Sequence, residues 1–336
     1  MTTVPIPGAR APNAVLARAG SALQRQGALV ALAAVCAFGA FRDPEFLTAA
    51  NLLNVLRQNS MPGLVALGMT FVVLTGGIDL SVGSLVALAG VVAAALSAHG
   101  SLAAALGGVG AAAAVGAVNG LLVARARLQP FVVTLAAMIA VRGAVLVATH
   151  EDSVPLADAA AGLALLGRGR LAGVPVPTLA LGLAYLAGWA VLRATAFGRH
   201  VYAVGDSEDA ARLLGLDVAR VTVATYALSG ALAGLAGLVL AARLGAGQPV
   251  AGAGWELDAI AAVVVGGTLL TGGQGGAGAT LVGVLLLGVI FNLLNLEGTV
   301  SPWWQYVVRG AFLLLVVLVQ GRLQGRAGAH RGGPAR

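Results

Sequence analysis

Gly76-Gly77-Ile78-Asp79-Leu80-Ser81-Val82-Gly83-Ser84 lies between two apolar runs, about residues 61–75 and 80–98. A carboxylate set among such neighbours is costly, and Gly-Gly beside it interrupts any continuous helix. Two readings of Asp79 stand side by side. It can cap the helix that begins near Ser81, where the helix dipole favours negative charge. Alternatively, a broken helix exposes Gly76, Gly77, Asp79 and Ser81 toward a translocation path, where ionisable residues inside membranes concentrate.

The rest of the chain supplies the membrane. Hydrophobic residues make up 59% of 336 positions and charged residues 10%, with a mean hydropathy of +0.92; a soluble domain carries about 25% charged residues. Further apolar runs cover about residues 27–41, 101–124, 130–149, 178–196, 221–243, 257–272, 277–296 and 303–320, which makes ten with the first two. Several fall short of the roughly 20 residues a bilayer core demands, so those near Gly76-Gly77 and Gly272-Gly273 are expected to be broken or tilted. The fold expected is all-α and integral to the membrane, a polytopic bundle of about ten transmembrane helices. Its parts are a cytoplasmic N-terminal tail 1–26, a transmembrane domain 27–320 and an Arg-rich cytoplasmic tail 321–336.

Charge fixes the expected orientation. All basic residues are Arg, and Arg125, Arg127, the stretch Arg193 to Arg220 and the C-terminal group fall on one side when the N-terminus is cytoplasmic. Arg168 and Arg170 are the exception, placed outside in a loop that also holds Glu151, Asp152 and Asp158. The run 27–41 ends in Phe41-Arg42-Asp43-Pro44 rather than a small-residue cleavage site, so it reads as a retained first helix. A net charge of +7 spread over short loops and termini does not describe a nucleic-acid surface.

Catalysis is not indicated. Without Lys, the nucleotide-binding pattern G-x-x-x-x-G-K-[ST] is impossible here, so any ATP hydrolysis belongs to another chain. Cys36 stands alone, and His99, His150, His200 and His330 share no ligand spacing, so no disulfide, metal or other cofactor is implied. Gly273-Gln274-Gly275-Gly276-Ala277-Gly278 spells a dinucleotide fingerprint with Glu297 about twenty residues on, but it lies between apolar runs with no βαβ unit around it. It reads as a glycine-rich bend. Leu74-Thr75-Gly76-Gly77 is echoed by Leu270-Thr271-Gly272-Gly273, and Val141-Arg142-Gly143 by Val308-Arg309-Gly310, at two different offsets.

Amides within the apolar runs are candidates for a pathway that handles hydroxyls without charge: Asn54, Gln58, Asn119, Asn292 and Asn295, joined by Gly76, Gly77, Asp79 and Ser81. Amides bonding neighbouring helices explain each of them individually as well. Between Arg193 and Val221 the chain turns polar, and Glu208-Asp209-Ala210-Ala211-Arg212 followed by Gly215 has the form of a short helix. Ser207 or Asp206 would cap it, acidic residues fill its first turn, Ala210 and Ala211 permit close docking, and Gly215 ends it.

The Gly76–Ser84 block closely resembles the signature of permease subunits of ribose-, xylose- and galactose-type ABC importers. The resemblance extends through Asn119-Gly120 with Gln129-Pro130-Phe131, through Gly198-Arg199-His200-Val201-Tyr202-Ala203-Val204-Gly205, through Glu256-Leu257-Asp258-Ala259-Ile260-Ala261 and through Ser301-Pro302-Trp303-Trp304-Gln305. It covers most of residues 45–320. Asp209 to Gly215 looks like the EAA-x-x-x-G pattern by which such permeases present a coupling helix to their ATPase, with Asp209 in place of Glu; the loop 197–220 would hold it. The resemblance implies a cytoplasmic ABC ATPase, a periplasmic or surface-tethered sugar-binding protein, and a second permease subunit, identical or paralogous. A related amino-acid permease and an ion-coupled secondary transporter using Asp79 or Asp258 are the rival expectations.

Overall fold

Caps and breakers divide the chain into helices in the computed structural model. It describes residues 14–298, with side chains from residue 27, and the isolated positions Trp304, Val307, Gly310, Ala311 and Leu314. The expected span 303–320 and the C-terminal tail lie almost wholly outside the described residues, as do residues 1–13. The helices in order are α1 (Ala14–Arg42), α2 (Ala49–Leu74), α3 (Val82–Leu96), α4 (Ser101–Ala124), α5 (Pro130–Thr149), α6 (Leu163–Arg168), α7 (Val176–Ala194), α8 (Ala196–Asp206), α9 (Glu208–Leu213), α10 (Val218–Leu244), α11 (Trp255–Val265) and α12 (Ala277–Leu296). α1 begins at Ala14, inside the stretch expected as a tail. Among the described residues, strand is confined to two short antiparallel pairs: β1 (Val154–Pro155) with β4 (Ala246–Gly247), and β2 (Arg170–Leu171) with β3 (Val174–Pro175).

Among the described residues, six segments are long and apolar enough to cross a membrane: Val82–His99, Ser101–Ala124, Pro130–Thr149, Val176–Ala194, Val218–Leu244 and Ala277–Leu296. α2, with 26 residues, is longer than all but Val218–Leu244, but it starts at Ala49 rather than near residue 61, and its first half carries Asn51, Asn54, Arg57, Gln58 and Asn59. Thr48 caps it through the Asn51 amide at 3.3 Å, so the polar residues continue the helix instead of preceding it. Its second half, Leu64 to Leu74, is fully enclosed by α7, α10, α11 and α12.

Small residues set the packing. α10 lies against α4 along almost its whole length and against α2 and α3 on its other sides. A methyl group built on Gly230 would fall on the Ala112 carbonyl, and one on Gly116 would lie 3.1 Å from the Tyr226 carbonyl carbon. Backbones that close gain dispersion contacts that no larger side chain would permit, which matters where lipid removes the hydrophobic drive between helices. Large apolar side chains instead point outward: Leu102, Leu106, Ile139, Val147, Leu183 and Leu186 are all exposed on α4, α5 and α7. Such faces suit a hydrocarbon solvent.

Two discontinuities break the regular crossing. Residues 75–81 separate α2 from α3 without helix. From Gly245 to Gly254 the chain runs back along α3, with Gly247 beside Gly90 and Gly252 beside Gly83, so α11 begins partway along the bundle. With 11 residues, α11 is about 16 Å long, too short to span alone. Non-helical backbone at that depth is tolerable because protein surrounds it.

Candidate functional site

The nine path candidates fall into four places. Asp79, Ser81 and Asn119 form a closed polar cluster at the α2–α3 break. Asp79 Oδ1 accepts from the Ser81 amide at 3.0 Å and from Ser81 Oγ at 2.6 Å, while Oδ2 accepts from Ser229 Oγ on α10 at 2.9 Å. Asn119 Nδ2 on α4 donates to Ser81 Oγ at 3.0 Å. Thr134 on α5 and Tyr226 on α10 both donate to the Ile78 carbonyl, at 3.2 and 3.3 Å. Three helices thus pin one non-helical turn, and Asp79 and Ser81 have no exposed surface. Asp79 is not the cap of α3: Ser81 flanks that helix and its side chain makes no cap bond, and Asp79, two residues earlier, holds the turn before it.

Gly76 and Gly77 occupy a second place, at the end of the bundle that carries α8 and α9. Here the two Leu-Thr-Gly-Gly echoes meet. The Gly273 amide donates to the Leu74 carbonyl at 3.0 Å, and Gly76, Gly272 and Gly273 all have φ between 72° and 88°, a left-handed backbone that glycine adopts without penalty. Gly205, near the end of α8, sits against this bond. Tyr202, one turn earlier, donates to the Gly275 carbonyl at 2.9 Å, and burial pushes its phenol up from the ordinary range, which keeps it a donor. The Gly273–Gly278 stretch is accordingly a bend between α11 and α12. Most of the other echo, at Val308-Arg309, lies outside the described residues.

Gln58, Asn292 and Asn295 share a third place, a cavity of about 150 Å³. The polar half of α2 forms one wall with Gln58, Asn59 and Pro62; Pro62 has no N–H, so it withdraws the usual helical donor from the Gln58 carbonyl. Trp255 and Asp258, on the first turns of α11, form the second wall. α12 closes the third with Gly288, Phe291, Asn292 and Asn295. Asn51 and Asn292 brace the wall by exchanging reciprocal amide bonds of 3.0 and 2.8 Å. An aromatic face among amides and one carboxylate can bind a polyhydroxylated ring. Asn54 is apart from all of these, accepting from Arg57 Nη2 at 3.0 Å.

Sequence reading had not grouped Trp255 and Asp258 with the α2 and α12 amides. The signal available was Trp255 and Asp258 at i, i+3 on one helix face. It also left Arg142 unassigned; in the structure its guanidinium donates to the Pro249 carbonyl at 2.6 Å and the Gly83 carbonyl at 3.1 Å, tying the returning segment to α3.

The polar loop folds as two helices joined by one residue. Thr195 caps α8 through the Gly198 amide at 3.1 Å, and Ser207 caps α9 through the Ala210 amide at 3.2 Å, while Asp206 is the last residue of α8. Glu208 and Arg212 pair at 2.5 Å along α9, and Gly215 follows with φ 78°. Glu208, Asp209, Ala210, Arg212 and Gly215 are exposed. Ala211 is not: it is 1% exposed and packs into the chain itself, so its small size serves internal packing and not docking. Exposed apolar surface comes instead from Leu213 and Leu214, at 89% and 78%.

Comparison with known proteins gives the family. Residues 51–317 match the family described as branched-chain amino acid transport system / permease component. The ribose import permease protein of Escherichia coli (strain K12) is 44% identical over 306 residues, 90% of this chain and 95% of that protein. The ribose import permease protein of Bacillus subtilis (strain 168) is 44% identical over 88% of this chain and 92% of its own. The xylose transport system permease protein of Escherichia coli (strain K12) is 34% identical over 85% and 88%. No solved structure matches.

Proposed function

The chain belongs to that permease family, and from this premise we propose that it is the membrane subunit of an ATP-driven importer for a monosaccharide of the ribose, arabinose or xylose kind. The observation that carries the substrate class is the identity to ribose import permeases across nine-tenths of the chain. An L-arabinose ABC transporter permease at 38% identity points the same way. The chain is not an enzyme; ATP is hydrolysed by a separate subunit, and a binding protein delivers the sugar.

In this reading the multi-pass bundle sits in the inner membrane with ten spans, 303–320 being the last, and with both termini cytoplasmic. The tails are 1–26 and 321–336, and the permease domain is 27–320. The end carrying α8 and α9 then faces the ATPase, and Glu208, Asp209, Ala210, Arg212, Leu213, Leu214 and Gly215 form the coupling surface. The cavity opens toward the opposite, sugar-delivering side, so Gln58, Asn292, Asn295 and Asp258 are the first polar groups an arriving sugar meets. A second permease subunit completes the path. Neutral amides suit this task because a sugar offers hydroxyls and no charge, and a path must release what it holds.

The test is reconstitution. Vesicles holding this chain with its ATPase are given a sugar-loaded binding protein outside and ATP inside. Uptake of labelled monosaccharide that requires ATP and survives an uncoupler supports the proposal; uptake that follows an ion gradient without ATP refutes it.

A further inference from the structure

We propose that Gly205 is the positioning residue through which the coupling helix α9 acts on the transport path, by seating α8 on the hydrogen bond that joins the two glycine breaks. The inference rests on the importer reading above and adds to it the route of force inside this chain.

Four observations place Gly205 there. First, α9 has no slack relative to α8: Ser207 is at once the residue that ends α8 and the residue that caps α9. A push on α9 therefore reaches α8 within one residue. Second, α8 is fixed along its length to the bundle. Phe197 stacks on Phe71 of α2 at 6.5 Å between ring centroids, Val201 and Val204 are buried, and Tyr202 bonds the Gly275 carbonyl.

Third, α8 ends on a three-way junction of backbones. A methyl group built on Gly205 would fall on the Leu74 carbonyl oxygen and lie 2.9 Å from the Leu74 carbonyl carbon, and that oxygen is the acceptor for the Gly273 amide. Methyl groups built on Gly272 and Gly273 would in turn lie 2.9 Å from the Gly205 carbonyl oxygen and 3.0 Å from the Asp206 Cα. Glycine is thus required at position 205 for space, and α8 cannot move without displacing the break that ends α2 or the bend between α11 and α12. Fourth, α2, which ends at this junction, and α11 and α12, which the bend at Gly272-Gly273 joins, form the three walls of the cavity. From Leu74 to Gln58 is 16 residues of one helix, about 24 Å at 1.5 Å per residue. A small rotation at the junction is carried along α2 to the wall that bears Gln58.

The competing route runs from α9 through Gly215 and Asp217 directly into α10, bypassing Gly205. Coupling along a chain of contacts is established only by an energetic measurement, and the two routes differ in a measurable ratio. The full complex of this chain, ATPase and binding protein, in vesicles, is assayed for monosaccharide taken up per ATP hydrolysed. Gly205→Ala is compared with wild type and with Gly278→Ala, a helical glycine just past the junction whose added methyl meets nothing within 4 Å.

Gly278→Ala is expected at the wild-type ratio. Gly205→Ala is expected to lower it by about tenfold, the change that about 1.4 kcal/mol of altered activation produces. A merely destabilised chain would instead lower the yield of complex and leave the ratio of the surviving complex intact. Tyr202→Phe, which removes one anchor of α8 without adding volume, is expected to lower the ratio in the same sense, and it decides the matter if Gly205→Ala does not assemble. Wild-type ratios in the variants that assemble overturn the inference and assign the route to α10. A wild-type complex that moves no monosaccharide with ATP overturns the importer reading itself.

Discussion

Replacing Ser229 by Ala removes the hydroxyl that donates to Asp79 Oδ2 at 2.9 Å, and leaves Oδ1 with its two bonds from Ser81. Two magnitudes compete for the cost. Side-chain hydrogen bonds between membrane helices average about 0.6 kcal/mol, because the unfolded chain in the membrane also finds partners. Leaving a buried acceptor without its partner costs about 1–3 kcal/mol, because it has no water to turn to. Asp79 is 0% exposed, so the second magnitude governs, and Ser229→Ala is expected to lower unfolding free energy by about 2 kcal/mol. In an Asp79→Asn background an amide Nδ2 in the place of Oδ2 accepts nothing from Ser229, and the same substitution is expected to cost about 0.6 kcal/mol. Reversible unfolding of the purified chain in mixed micelles, followed by far-UV circular dichroism, closes the double-mutant cycle. Equal costs in the two backgrounds, within about 0.5 kcal/mol, would refute the picture of a buried carboxyl oxygen that depends on this serine.

Gly230→Ala on α10 is expected to lose about 1–3 kcal/mol in the same assay, since its methyl falls on the Ala112 carbonyl, whereas Gly110→Ala on α4, with open space around it, is expected to be neutral or slightly stabilising. Arg142→Met leaves the Gly83 and Pro249 carbonyls without their donor and is expected to cost about 2 kcal/mol, with Arg142→Lys in between; micelle unfolding ranks the three. Asp258→Asn tests the rival ion-coupled mechanism: ATP-driven uptake into vesicles without an ion gradient is expected to persist, with an altered sugar dependence because Asp258 lines the cavity.

Legibility followed the range of the interaction. The apolar runs located α3, α4, α5, α7, α10 and α12 to within a few residues, because each is decided by its own composition. α2 was cut short at its start because Asn51, Asn54 and the run Arg57 to Ser60 interrupt the apolar pattern, although Thr48 caps them into the helix. The break before Asp79 was readable from Gly76-Gly77; its role was not, since Ser229, 150 residues away, supplies the partner that closes the site. The grouping of the path candidates escaped for the same reason. Gln58 and Asn292 meet only after α2 and α12 pack, while Asn119, an equally plausible amide, turns inward to Ser81. The Leu-Thr-Gly-Gly echo was visible as a repeat of letters, and the contact between its two copies required the fold. In α9, spacing identified the helix and its cap but could not tell that Ala211 faces inward while Leu213 and Leu214 face out.

The amide pair between Asn51 and Asn292 has a bearing on how the chain is made. Its two members are 241 residues apart, so at about 5–20 residues per second synthesis of the second trails the first by about 10–50 s. When that interval opens, α2 is already emerging with Asn51, Arg57, Gln58 and Asn59 on its first half, and α7, α10, α11 and α12, which pack against it, are added only one after another, α12 last. The helix at the centre of the bundle is therefore produced before its surroundings, and it is too polar to be left in lipid alone. It must wait at the headgroup level or beside the insertion machinery until the later helices arrive, and nascent chains stalled before α11 should be the ones that cellular quality control removes.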